Sequence, residues 1–423
     1  MLIEFSISNF RSIRERQVLS FVASADKEHE DSNVVKDVAP GVDRLLRCAV
    51  LYGANAAGKS NFLMGLDLVH DMVIDSAKDA GKSARARIKP FRLDDSVREP
   101  SVFEIVFVAD SVKYQYGFSL NSTRIIEEWL YAFPEKRAQM WFHRVFDEKS
   151  LEYSWKFGGS LKGPKQIWSS STKDGALLLS VAGQLKSEQL QPVYDWFDEN
   201  LRVLMSGELF PTFSKGMLGT DSSRHRIESF LRLCDIDFST LSTREKAVDQ
   251  EQIDFVRKLM PKEEADSMVE HILETESVEV MWGRVSSAGE QVWFSHDEES
   301  RGTQKLFGFA GPILDTLDSG YVMVVDELNN SMHPLLAKRI LQMMNNPKMN
   351  RSNAQMLVVT HATSMLDLDI LRRDQIWFVE KESGATKVYP LTDFKPRKDV
   401  SLAKGYLEGR YGAIPYLGGG LFE

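Results

Sequence analysis

Apolar and polar side chains alternate from Leu2 to Phe10, the period of a half-buried strand. A continuous apolar run at residues 48–52 then meets a glycine-rich octapeptide and an apolar-periodic stretch, which predicts a buried strand, a loop and a helix in that order. Residues 102–108 and 113–120 flank Ala109-Asp110-Ser111 and predict a hairpin, and strand-like material continues through 129–133 and 141–146. From about residue 185 to 273 the apolar spacing changes to three and four. Helices are predicted over 189–204, 224–234 and 249–272, interrupted by Pro211, Gly216 and Pro261. Strand character returns at Met281, and the short apolar runs 321–325, 355–360 and 375–380 are separated by helical patterns, the β-then-α order of a parallel sheet. The expected fold is α/β, a P-loop core with an antiparallel β subdomain and a helical insertion. Its expected parts are residues 1–182, an insertion over 183–280, and 281–423.

The octapeptide is Gly53-Ala54-Asn55-Ala56-Ala57-Gly58-Lys59-Ser60, a G-x-x-x-x-G-K-S loop between a predicted strand and a predicted helix. Gly53 and Gly58 allow backbone conformations closed to residues with a Cβ, so successive N–H groups can converge on phosphate oxygens at the positive end of a helix. Lys59 adds a full charge at the β- and γ-phosphates, and the Ser60 hydroxyl is placed to ligate magnesium. The run 322–325 ends in Asp326-Glu327. There an aspartate can hold Mg2+ through water opposite Ser60, and a glutamate can orient or deprotonate the attacking water. The run ending in Thr360 is followed by His361, at the sheet edge where ligands collect, within reach of a γ-phosphate. Ser300 and Gly302 open the apolar-periodic stretch 306–317, and a hydroxyl and a glycine at a helix start make an anion site.

Composition changes this picture little. The 43% hydrophobic and 27% charged content is that of an ordinary globular chain, and no apolar run approaches the roughly 18 residues of a membrane span, so a cytoplasmic protein is expected. The two cysteines, Cys48 and Cys234, indicate neither a disulfide framework nor a cysteine zinc site. A net charge of −9 does not announce a nucleic-acid binder, although Lys82, Arg85, Arg87, Lys89 and Arg92 lie in a stretch without acids that could meet phosphates or an acidic protein.

The order of P-loop, Ser300-x-Gly302-x-Gln304, Asp326-Glu327 and His361 resembles that of ABC-type ATPases of the SMC and RecF-like group, as does the opening Asn9-Phe10-Arg11-Ser12-Ile13. More narrowly, His333-Pro334 after the acidic pair and the ending Tyr406-x-x-Gly409-Arg410-Tyr411-Gly412-Ala413-Ile414-Pro415 look like the AbiLi/RloA-type ATPases of bacterial anti-phage defence. The resemblance implies ATP and Mg2+ as cofactors, a phosphate-binding Lys59 and Ser60, magnesium support by Asp326, and water handling by Glu327. It further implies γ-phosphate sensing by His361, and Ser300 and Gly302 acting across a head-to-head homodimer, which could assemble further. The expected partner is a separately encoded effector, a nuclease, with nucleic acid as a possible further ligand and no membrane. A RecF-like repair ATPase clamping DNA is the alternative, and a P-loop kinase or simple nucleotide-binding scaffold the third reading. Two departures from the pattern stand out: no glutamine is placed as a Q-loop ligand, and Asn329-Asn330-Ser331 lack the usual D-loop aspartate.

Overall fold

The computed structural model describes residues 1–205, 211–246, 250–259, 265–266, 269, 278–328, 332–394 and 401–415. The chain divides into two compact units, the first of residues 1–206, 316–329 and 337–423, the second of 207–315 and 330–336.

Two sheets build the first unit. One is antiparallel and seven-stranded, in the order β10-β9-β8-β7-β6-β1-β2, where β1 is Leu2–Ser8, β2 Gln17–Ser20, β6 Ser101–Ala109, β7 Val112–Leu120, β8 Ile125–Phe133, β9 Gln139–Asp147 and β10 Glu152–Phe157. The expected hairpin is β6–β7, whose turn residues Asp110 and Ser111 both take left-handed backbone conformations. A shorter pair, β3 (Val34–Ala39) with β4 (Val42–Leu46), is also antiparallel.

The other sheet runs β11-β15-β16-β5-β17-β18, with β5 at Cys48–Gly53, β11 Leu201–Leu204, β15 Val322–Asp326, β16 Gln355–Thr360, β17 Ile376–Glu382 and β18 Ala385–Pro390. Its first five strands are parallel, and β18 returns antiparallel to β17. Every residue of β5, β15 and β16 is buried, which is why these strands read as unbroken apolar runs rather than alternations. Helix α1 (Lys59–Asp79) shares one core with both sheets: Phe62 packs edge-on against Phe5 at 5.2 Å between centroids, and the core extends through Leu51, Val324 and Val359. A Cβ on Gly65 would collide with Ile7, so a glycine is what lets the helix approach β1.

The second unit holds an antiparallel sheet of β12 (Thr240–Glu245), β13 (Val278–Val285) and β14 (Gln291–Ser295), with helix α2 (Asp221–Leu233) capped by the Thr220 hydroxyl, which accepts from Ser223 N. Residues 301–315 of helix α3 (Arg301–Ser319) also belong to it. Pro312 lacks an N–H and so leaves the Gly308 carbonyl without its helical partner. The buried Ser214 hydroxyl donates to that carbonyl at 3.2 Å and accepts from Gly311 N at 2.9 Å, so the proline is accommodated without an orphaned group.

The segment expected to be wholly helical is mixed. Residues 183–206 lie in the first unit and 207–280 in the second, and Leu201–Leu204 is not the end of a helix but strand β11, paired parallel to β15. The three-and-four spacing is real through Trp196 and Phe197, yet it runs out where Leu201 and Val203 alternate with exposed Arg202 beside a sheet edge. Thr240–Glu245 is a strand that the sequence reading did not separate from its helical surroundings. The helix expected over 224–234 is α2; that over 249–272 forms at Gln250–Leu259, and most of its remainder lies outside the described residues. Among the described residues no helix is long and apolar enough to cross a membrane.

Candidate nucleotide-binding site

Parallel strands place their carboxyl ends on one edge, and here that edge collects the sequence-predicted groups. The P-loop leaves β5, Asp326 closes β15 and Thr360 closes β16, the strand between them in the sheet. Exposed His361 therefore emerges between the P-loop strand and the strand carrying the acidic pair. Glu327 N donates to the Val359 carbonyl at 3.0 Å, and its φ of 54° turns the chain sharply out of the sheet.

The loop itself is tightly placed. A Cβ on Gly53 would strike the Val379 carbonyl oxygen of β17, and Gly58, at φ 110°, has Thr386 and Ser12 where a Cβ would stand. Ala54 is half-buried, Asn55 and Ala56 are exposed, with Ala56 left-handed at φ 62°, and Ala57 is buried. Lys59 is 8% exposed, and its Nζ donates to the carbonyls of Gly53 at 2.8 Å and Ala54 at 2.9 Å. Burial holds its ammonium below the ordinary lysine range, while Asp326 and Glu327 pull the other way.

Ser60 Oγ donates to Asp326 Oδ2 at 3.0 Å, and Asp326 Oδ1 is buried with no hydrogen-bond partner. Burial raises this carboxyl above its usual range, and Glu327 adds to the rise against the opposing Ser60 hydrogen bond and Lys59 charge. A buried anionic oxygen without a partner, next to a hydroxyl, is a donor set that fits a hard divalent cation such as Mg2+.

In the second unit Ser300 is exposed just before α3, and its Oγ accepts from Thr303 N at 3.2 Å and lies 2.9 Å from Thr303 Oγ1. It therefore caps the helix whose first-turn amides, including that of half-buried Gly302, point to the positive end of the dipole. Two groups hold this turn, Gln304 of the sequence motif and Arg284, which no motif marks. Arg284 of β13 grips Glu299 with two parallel bonds of 2.6 and 3.0 Å, and Gln304 Nε2 donates to the carbonyls of His296 and Glu299, each at 3.0 Å. His296 in turn stacks on fully buried Trp282.

The ending Tyr406 to Pro415 packs on the P-loop strand. Tyr406 and Tyr411 stack on Phe378 of β17, Tyr406 also meets Tyr52, the residue before Gly53, and its hydroxyl donates to the Ala413 carbonyl at 2.9 Å. The basic stretch is less available than its composition suggested. Arg87 is paired with Asp67 and Asp71 of α1, and Arg85 donates to the Thr123 carbonyl, leaving Lys82, Lys89 and Arg92 as the exposed cations. The acids absent from the local sequence arrive from the helix packed beside it. Asn329-Asn330-Ser331 lie outside the described residues.

A P-loop on one parallel strand, an acidic pair two strands away in the same sheet and a serine-capped helix ahead of that pair in the chain define a P-loop ATPase of the ABC type, with the SMC and RecF-like order of motifs. A family model described as "AAA domain, putative AbiEii toxin, Type IV TA system" matches residues 48–367, and the chain belongs to that family. It is an ATP hydrolase. Among solved structures it is similar to the SMC head domain from Thermotoga maritima, at 12% identity and a TM-score of 0.44 over 92% of this chain and 98% of that one. It is also similar to an Smc head bound to the C-winged helix domain of ScpA, at 13% identity and 0.42 over 96% and 99% of the two chains. A third likeness is an Smc head with an extended coiled coil, bound to the C-terminal domain of ScpA derived from Pyrococcus furiosus, at 11% identity and 0.36 over 97% and 98%. No match among curated proteins reaches significance.

Proposed function

We propose that the protein is an ATP-driven switch, a head-to-head homodimer that closes around two nucleotides and thereby controls a separately encoded effector, a nuclease, in anti-phage defence. The P-loop amides and Lys59 hold the β- and γ-phosphates, and Ser60 and Asp326 hold Mg2+, which when bound neutralises phosphate charge. Glu327 orients water and accepts its proton as the oxygen attacks the γ-phosphorus. The bond to the bridging oxygen breaks, and ADP and phosphate leave. His361 donates a hydrogen bond to a γ-phosphate oxygen. Ser300 and Gly302 of the second subunit complete the shell around that phosphate.

One observation carries the dimer reading. Ser300 is exposed at the positive end of a nineteen-residue helix, on a turn held by the Arg284–Glu299 pair, an arrangement that suits an anion brought by another surface. The toxin–antitoxin setting in the family's description supports the defence context. The test is to purify the Glu327→Gln protein with its neighbouring gene products, with and without ATP, and to measure mass and nucleic-acid content. An ATP-dependent dimer holding a nuclease-like protein is expected. A dimer carrying only DNA would favour a repair clamp, and a monomer under all conditions would overturn the shared site.

A further inference from the structure

The P-loop is held by a hydrogen-bond chain that reaches it from both ends of the sequence. Thr386 of β18 is 1% exposed, and its Oγ1 donates to the Ala57 carbonyl at 2.8 Å. The same oxygen lies 2.8 Å from Ser12 Oγ, and Asn61 Nδ2 donates to Ser12 Oγ at 2.7 Å. A backbone bond from Thr386 N to the Ser12 carbonyl, at 2.7 Å, fixes the two hydroxyls against each other.

The direction of this chain is determined by counting protons. A carbonyl only accepts, so the one Thr386 hydroxyl proton is spent on Ala57, and Ser12 must donate to Thr386. The Ser12 proton is then used, and Ser12 can only accept from Asn61, which requires the amide nitrogen on that side. The result is a one-way relay, Asn61 to Ser12 to Thr386 to the Ala57 carbonyl, whose members polarise one another.

Its end point matters because the Ala57 carbonyl and the Gly58 N–H are opposite ends of one planar trans peptide. Fixing the carbonyl toward β18 fixes the N–H away from it. Gly58, at φ 110° and without a Cβ, gives this peptide freedom to rotate that another residue would remove, so orientation has to come from a partner. A flipped peptide would present a carbonyl where the loop needs a donor.

We propose that Thr386 is a positioning residue for nucleotide binding: through its bond to the Ala57 carbonyl it holds the Gly58 amide in the orientation that receives a phosphate oxygen. The inference rests on nucleotide binding at the P-loop and is independent of dimerisation.

The experiment compares Thr386→Val, which keeps shape and loses the hydroxyl, with Thr386→Ser, which keeps it, and with Ser12→Ala, which removes the relay's middle member. Binding of a non-hydrolysable ATP analogue is measured at equilibrium, alongside KM, kcat and the melting temperature without nucleotide. The valine protein is expected to bind the analogue about tenfold more weakly, the scale of one lost buried hydrogen bond, with KM raised and kcat changed far less. The serine protein is expected to bind within about twofold of the parent, and the Ser12 variant to fall between. Wild-type affinity in the valine protein, or a fall in kcat and melting temperature with KM unmoved, would overturn the assignment and leave Thr386 a packing residue. If the valine protein does not fold, equal affinity of the Ser12→Ala and parent proteins overturns it. A parent that binds no analogue at all would instead overturn nucleotide binding itself.

Discussion

The two candidate anion-binding turns of this protein, one on each compact unit, are built on opposite plans. The P-loop is braced from beneath by groups of its own chain: Val379 against Gly53, Thr386 against Gly58, and carbonyl oxygens that hold Lys59. The Ser300 turn is braced by Arg284 and Gln304 and carries an exposed serine at a helix end. The first plan fixes much of the loop before a phosphate arrives. The second preorganises a donor for something brought to it. A site finished by its own chain can bind alone, whereas a site that is all rim can act only by meeting another surface.

The sharpest break of this contrast is catalytic. Glu327→Gln is expected to lower ATP turnover by at least about a hundredfold while nucleotide binding is retained, read by phosphate release against equilibrium titration. Next comes the outward plan. Lys59→Ala and Ser300→Arg should each be nearly inactive alone, yet an equimolar mixture should recover about a quarter of the parent activity, because a mixed dimer keeps one complete site. No recovery on mixing, with both variants folded, would place the serine's role within one subunit.

A smaller effect separates binding from stability. Asp326 carries a buried oxygen without a partner and a carboxyl raised by burial, so ionising it in the nucleotide-free fold is costly. Asp326→Asn is therefore expected to melt a few degrees higher than the parent without nucleotide at neutral pH, and to lose the gain in melting temperature that Mg2+ with ATP gives the parent. Equal melting temperatures would mean that solvent already relieves this oxygen. Smallest is the change at Ser214. Its replacement by alanine removes the donor to the Gly308 carbonyl and an acceptor of the Gly311 amide, and should cost about 1–3 kcal/mol in chemical denaturation while leaving nucleotide affinity at the P-loop unchanged.

The sequence made the parallel sheet and its motifs legible because strands buried on both faces announce themselves as apolar runs, and because phosphate chemistry constrains residue types at fixed spacing. Cys48–Gly53, Val322–Asp326 and Gln355–Thr360 were readable for that reason, as were the groups at their ends. Strand β11 was not, since four residues hold too little periodicity to oppose the helical spacing that precedes them. Nor were Thr386 and Arg284. A single threonine in an edge strand carries no pattern of its own, and its partner Ser12 stands 374 positions away. The pairing of Arg87 was hidden in the same way, because its two aspartates lie on a helix whose facing side is known only once the helix has packed.

The strand order has a consequence for how the protein is made. Strand β5, which carries the P-loop, is inserted between β16 and β17, and the relay beneath the loop takes its last donor from β18. A ribosome releases the octapeptide early, but both neighbours of its strand emerge some three hundred residues later. At about 5–20 residues per second, the nascent chain carries a phosphate-binding sequence for many seconds before it has the sheet to hold it. Nucleotide capture is thus withheld until β16 to β18 have emerged, and a chain cut short before β17 and β18 yields a P-loop flanked on one side only.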